Sequence, residues 1–209
     1  MDKLLVAYKL TAHDDGSSML GEATYRVPRE AGFHDFRFGV DGEAHPATCA
    51  NCGRKIDPDF VNPVYRVRHR RRDAVATYDG YLLVSRRFRA LCEERGWSGA
   101  EFVNLPADHD FFWLRPTGKV RYDAQRRGTR FEDYCAVCDA YYNVIGSDPV
   151  YLLDVQASLP AAFFRTDLEF ASGPEQHPLV LVGPDVGSVL LLEHFPMLEV
   201  RPVYYDFNS

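Results

Sequence analysis

Four cysteines fall in two short pairs, Cys49-Ala50-Asn51-Cys52-Gly53 and Cys135-Ala136-Val137-Cys138. In CxxC spacing a tight turn turns both sulfurs to one side, and two such turns supply the four ligands of a tetrahedral zinc ion. Thiolates are soft and anionic once metallated. Four of them close the shell and leave no position for water, so a Zn2+ held by Cys49, Cys52, Cys135 and Cys138 is structural rather than catalytic. The pairs stand 82 residues apart, far more than in a compact zinc ribbon, so a shared ion fastens distant parts of the chain. The competing chemistry is a pair of reduced or redox-active dithiols. A thioredoxin-like pair opens a helix after a strand, a setting that neither turn has. Arg54 and Lys55 follow the first pair, and with nearby backbone N–H groups they are expected to stabilise its thiolates.

Arginine supplies the second candidate chemistry. Arg66, Arg68, Arg70, Arg71 and Arg72 crowd one stretch that alternates with Tyr65, Val67 and His69. Together with Arg126–Arg130 this is the pattern of a phosphate-backbone contact, and it makes a nucleic-acid-binding zinc protein the alternative reading. Against it stand a formal net charge of −6 and the lack of a groove-reading helix. A solvated strand end, or an internal partner for acidic residues, is preferred. Catalytic patterns are sparse: the seven histidines form neither HxxxH nor HExxH, and no phosphate-loop or nucleophile-elbow motif occurs. Asp108-His109-Asp110 reads as a surface loop, and His177 and His194 as packing or capping residues. Cys92 reads as core. An enzyme would need a pocket that converges His109 or His177 with carboxylates from elsewhere; none is expected.

The elements that must position these groups are legible in part. Lys3–Leu10 reads as a first strand and His13–Ser18 as a turn. Residues 23–45, with Phe36 and Phe38, read as irregular with a short strand. Val64–Arg72 reads as a strand and Asp79-Gly80 as a turn. Leu82–Val84 reads as a buried strand, Ser85 as the cap of a helix with Phe88, Leu91 and Cys92 on one face, Gly96 as its stop, and Ala100–Leu105 as a return strand. A second such unit runs from Val180 to Val203, its helix opened by Gly183-Pro184 and faced by Val186, Val189, Leu190 and Leu192. The two units superpose without a gap, Leu83 on Leu181, Trp97 on Phe195 and Glu101 on Glu199, which suggests internal duplication. Between and after them, residues 110–114, 119–122, 150–155 and 161–170 read as strands. The expected fold is α+β and strand-rich, with two strand–helix–strand units joined by a four-cysteine zinc site. One domain spans 1–209, with halves 1–106 and 107–209 clasped by the ion.

Composition is that of a soluble globular chain, 46% apolar and 26% charged. With no spanning apolar run and no signal-peptide layout, it implies a cytoplasmic protein with no membrane role. Charge is uneven: residues 54–130 carry 17 Lys/Arg against 10 Asp/Glu, while 131–209 carry two against 12. Either the acidic part faces a basic partner, or the two parts complement each other internally.

The CxxCG at Cys49–Gly53, the distant second CxxC and the segment from Leu82 to Phe102 (Leu-Leu-Val-Ser-x-Arg-Phe-Arg-Ala-Leu, then Gly-x-Ser-Gly-Ala-Glu-Phe) together resemble the double-CxxCG motif proteins, a paralogous bacterial group known from myxobacteria. The chain is also similar to immunity proteins of polymorphic toxin systems. The resemblance implies a zinc-stabilised protein-binding module that neutralises a cognate toxin and catalyses nothing. Asp139 departs from it by standing where a second CxxCG has Gly, which leaves the conformation of that turn open.

Overall fold

A computed structural model of the chain describes residues 3–21, 45–155 and 157–206; the reading of Phe36 and Phe38 lies outside them. In chain order the elements are β1 (Lys3–Ala12), β2 (Ala74–Ala76), β3 (Leu82–Ser85), α1 (Arg86–Glu94), β4 (Ala100–Leu105), β5 (Asp108–Pro116) and β6 (Gly118–Val120). There follow α2 (Ala124–Arg127), β7 (Arg130–Cys135), β8 (Ala140–Ile145), β9 (Phe163–Ser172), β10 (His177–Val182), α3 (Pro184–Glu193) and β11 (Leu198–Asp206). The fold is strand-rich with few helices, and it divides into two sheets. One has the order β2-β3-β5-β4; the other runs β11-β1-β10-β9-β8-β7, with β6 also paired to β9. No helix among the described residues is long and apolar enough to cross a membrane.

Both strand–helix–strand units form as read, and both are split. β3 and β4 lie antiparallel to β5 on its two sides, so they run parallel to each other with one strand between them. β10 and β11 flank β1 in the same way. The register repeats as well. Trp113 sits between Leu83 and Val103, and Phe112 between Val84 and Asn104. Lys9 sits between Leu181 and Arg201, and Tyr8 between Val182 and Pro202. The gap-free superposition of the two segments maps each of these pairs onto its counterpart. The intervening strand differs in origin, since β5 follows its unit whereas β1 opens the chain. Each sheet therefore takes a strand from the other side of residue 106.

Local physics explains both helices. The Ser85 side chain accepts from the Phe88 N–H, and Gly96 supplies a left-handed stop at φ 62°. Pro184 sets the first turn of α3, and His194 ends it in the left-handed region. Strand alternation then sorts the apolar residues. Leu82 and Val84 face the helices, as do Val180 and Val182, and they share one core with Phe88, Cys92, Val186, Leu190, Phe163 and Phe195. Phe88 meets Phe195 at a centroid distance of 5.2 Å and Phe163 at 6.3 Å. Each fully buried side chain of this kind contributes about 1.5–3 kcal/mol. Leu83 and Leu181 face the other way, into two outer cores.

Three local readings are corrected. Val64–Arg72 is not a strand. Burial does alternate there, with Tyr65 and Val67 inside, but the backbone is satisfied by side chains and turns rather than a ladder. Val67 N–H donates to Asp108 Oδ2 at 3.1 Å, and Val64 N–H to Asn62 Oδ1 at 3.0 Å. Residues 150–155 make only an isolated bridge, Tyr122 to Leu152, before Asp154 turns the chain at φ 59°. Asp108 is no surface loop residue: it begins β5, is 1% exposed, and its carboxylate organises the 65–70 segment.

Candidate metal centre

The two cysteine turns come from unrelated surroundings and meet. Cys49 and Cys52 lie in the irregular stretch before β2, closed by the Cys49 N–H bond to Arg54 O at 2.7 Å and a bridge between Thr48 and Lys55. Cys135 ends β7 and Cys138 lies in its turn to β8, where Tyr134 pairs with Tyr141 and Cys135 with Ala140. Counting from the first cysteine of each pair, the two turns close at matching positions. Gly53 takes φ 77° and Asp139 takes φ 53°, so the aspartate adopts the left-handed conformation that glycine supplies in the first turn. Its carboxylate accepts from the Tyr134 hydroxyl.

All four sulfurs lie within 4.8 Å of one another. Cys49 Sγ is 4.0 Å from Cys135 Sγ, and Cys52 Sγ is 3.7 Å from Cys138 Sγ. These separations bracket the edge of about 3.8 Å that follows from a tetrahedron with Zn–S near 2.3 Å. They are far beyond a disulfide bond. The four cysteines are thus placed to hold a metal ion.

Electrostatics points the same way. The Asn51 Nδ2–H group donates to Cys135 Sγ at 3.3 Å, and with the backbone N–H groups of Cys138 and Val137 it pulls the Cys135 thiol down to about 6. Backbone N–H groups of Cys52 and Asn51 lower Cys49. Burial raises Cys52, while burial and the neighbouring sulfurs push Cys138 up to about 12. Local hydrogen bonds thus favour the thiolate at Cys135 and Cys49, while Cys52 and Cys138 are shifted toward the thiol. A divalent cation is what would let all four ionise together. The Arg54 backbone N–H favours the Cys52 thiolate as expected, but the Arg54 and Lys55 side chains are engaged elsewhere. Arg54 reaches Gln176 Oε1 at 2.5 Å and Glu169 Oε2 at 3.0 Å, and Lys55 is buried with Nζ 2.7 Å from Asp79 O.

Gln176 was not legible as a functional residue. It is 1% exposed and bridges the two cysteine turns: its Oε1 accepts from Arg54, and its Nε2 donates to Tyr142 O at 2.9 Å and Tyr141 O at 3.0 Å. Beside this bridge opens a groove of about 440 Å³. Arg54–Pro58, leaving the first turn, forms one wall, and Phe131, Tyr141 and Val144 of the hairpin form another. Ile56, Phe131 and Tyr141 are 50%, 39% and 41% exposed. The Tyr141 ring lies 5.4 Å from those of both Phe131 and Tyr134.

The site lies apart from the core that the two split units share, which draws no residue from 45–58 or 130–145; the four cysteines lie where the loop before β2 meets the β7–β8 hairpin. Some charges of the basic and acidic stretches pair with each other, as in Arg54–Glu169, Arg87–Glu193 and Arg121–Asp154. Glu132, Asp133 and Asp139 remain on the hairpin, bonded to Arg130, Asn143 and Tyr134.

The arginines of 66–72 do not form one face. Arg68 reaches back to Gly16 O at 2.9 Å and Arg70 pairs with Asp108 and Asp110. Arg126, from the other basic stretch, lies over the rings of Tyr151 and Tyr205. His109 is exposed on β5. His177 packs against Gly80, beside a cavity of about 40 Å³ that His109 does not line. Cys92 is core as read, its thiol pushed up to about 12 by burial.

No family model matches the chain, and no curated protein matches it.

Proposed function

We propose that the chain is a zinc-clasped protein-binding module of the toxin-immunity class, with its contact face on the β7–β8 hairpin and the adjoining groove. One observation carries this reading. Two of the stretches that line the groove follow directly on the four-cysteine cluster, Arg54, Lys55, Ile56 and Pro58 after Cys52 and Ala140, Tyr141 and Val144 after Cys138. A bound ion would therefore set the width of the groove and hold its exposed rings in place. A closed four-thiolate set favours zinc in a structural role. Rigid, exposed aromatics are the residues that anchor protein interfaces. Glu132, Asp133 and Asp139 around them suit a basic partner surface.

The test is protection. The gene next to this one is expressed with it in a sensitive host. The wild-type chain is expected to rescue growth and to copurify with the neighbouring product. A Phe131→Lys/Tyr141→Lys double variant that still binds zinc should lose both. Rescue by a chain lacking Cys49 and Cys135, with its fold intact, would overturn the clasp. No rescue by the wild type, together with no complex, would overturn the class.

A further inference from the structure

We infer that the cleft between residues 70–73, the first turn of α1 and the start of β5 is a binding site for a single phosphoryl group. The cleft has a volume of about 260 Å³, and Arg70, Arg71, Arg72, Arg86 and Arg87 all line it. The run in residues 70–72 was visible in the sequence, but its union with Arg86 and Arg87 is a product of the fold.

Five arginines line the cleft together with two carboxylates, Asp73 and Asp110. Asp110 is divided between Arg70 at 3.6 Å and Arg86 at 3.3 Å, and Arg87 is shared between Asp73 at 2.9 Å and Glu193 at 3.7 Å. Asp108, buried behind the cleft, accepts from Arg70 at 3.3 Å. Arg72 reaches only the backbone carbonyl of Asp14, at 3.4 Å. Among the described residues Arg71 has neither a hydrogen bond nor an ion pair, which leaves the cleft with positive charge in excess. Guanidinium forks match phosphate oxygens in pairs, so a compact dianion is the ligand that relieves this excess best.

The cleft is also preorganised. Arg72 N–H bonds to His69 O at 3.2 Å, Asp73 N–H to Pro196 O at 3.2 Å, and Ser85 N–H to Asp73 O at 2.9 Å. Ser85 Oγ donates to Asp73 Oδ1 at 2.6 Å. The turn carrying three arginines is therefore fixed before any ligand arrives, which lowers the ordering cost of binding. Because Arg68 is turned away to Gly16, the charge is gathered in one place rather than laid along a track. That shape selects an isolated phosphoryl group over a nucleic-acid backbone.

The test uses the metal-loaded chain at low ionic strength, titrated calorimetrically with inorganic phosphate and, separately, with AMP. Saturable binding of about one equivalent is expected. Arg71 has no internal partner, so Arg71→Ala should leave the melting temperature unchanged and weaken binding about tenfold or more. Arg66→Ala, outside the cleft, should change neither. Equal affinity for both probes identifies a free phosphate group as the ligand. An AMP preference of about tenfold identifies a nucleotide. The proposal is overturned by no saturable binding of either probe, or by equal losses in the Arg71 and Arg66 variants. Binding of a single-stranded oligonucleotide where inorganic phosphate fails would also overturn it.

Discussion

Asn51 offers a test of the metal centre with little disturbance to the fold. Its side chain contacts the Cys135 sulfur without being a ligand. Loss of such a supporting hydrogen bond costs about 10–100-fold in metal affinity. Asn51→Ala is therefore expected to release zinc to a competing chelator at a correspondingly lower chelator concentration, while still folding when zinc is abundant. Cys49→Ser or Cys135→Ser should be far more severe. The binding energy of an ion held only by the folded chain is part of the folding energy, so a loss on the order of 4 kcal/mol or more is expected in thermal or urea denaturation. Elemental analysis should return about one zinc per wild-type chain. Gln176 acts beside the ion. Gln176→Leu leaves the Arg54 guanidinium and two carbonyls of the hairpin without their buried partner, which costs about 1–3 kcal/mol, read by denaturation of the zinc-loaded protein.

The two split units are set by different contacts from those of the metal centre, and this separates their failures. In α3, Gly187 lies against β1 so closely that an added Cβ would stand 2.1 Å from the Tyr8 ring. Gly187→Leu must push the helix off the sheet, with an expected cost of about 1–3 kcal/mol or more. Phe88→Ala would open the shared core and cost about 3–5 kcal/mol. Zinc removal should do neither. The four cysteines lie between the 45–58 loop and the β7–β8 hairpin, away from Phe88, Val186 and Leu190. Chelation is expected to speed amide hydrogen exchange in residues 45–58 and 130–145 and to leave β3, α1 and β10 protected. A uniform loss of protection would show instead that the ion holds the whole fold.

For the molecule as a whole, the junction between the sheets should sense acid. His177 of β10 packs on Gly80, and burial lowers its pKa below 6.5, with the Lys55 cation acting in the same direction and Glu169 and Asp79 against it. The unfolded chain therefore takes up a proton on this ring as pH falls through 6.5, while the folded chain resists. Stability is unaffected by the ring above that value and declines below it. Urea denaturation at pH 7.5 and pH 5.5 should show the decline, and His177→Asn should reduce its slope. His45, lowered in the same direction by burial, supplies a remaining part. Zinc content measured in parallel separates this effect from acid release of the ion.

What was legible in the sequence is what short-range physics dictates. The CxxC turns, the Ser85 cap, the Gly96 stop and the apolar faces of α1 and α3 each depend on residues within a few positions of one another. Matching register in the two sheets followed because each unit carries its own alternation of inward and outward side chains. The strand misread at 64–72 shows the limit: alternating burial is a property of the side chains, but a ladder needs a partner backbone, and here carboxylates such as Asp108 supply the bonds instead. Only the tertiary structure could show that β1 and β5 complete their units from opposite ends of the chain. It alone placed Gln176 between the cysteine turns and joined Arg86 and Arg87 to Arg70–Arg72. Those contacts bridge residues that are distant in sequence, and their geometry is decided by how the sheets pack. The spacing of the cysteines says that two distant stretches can share an ion; packing decides that those stretches are one loop and one hairpin.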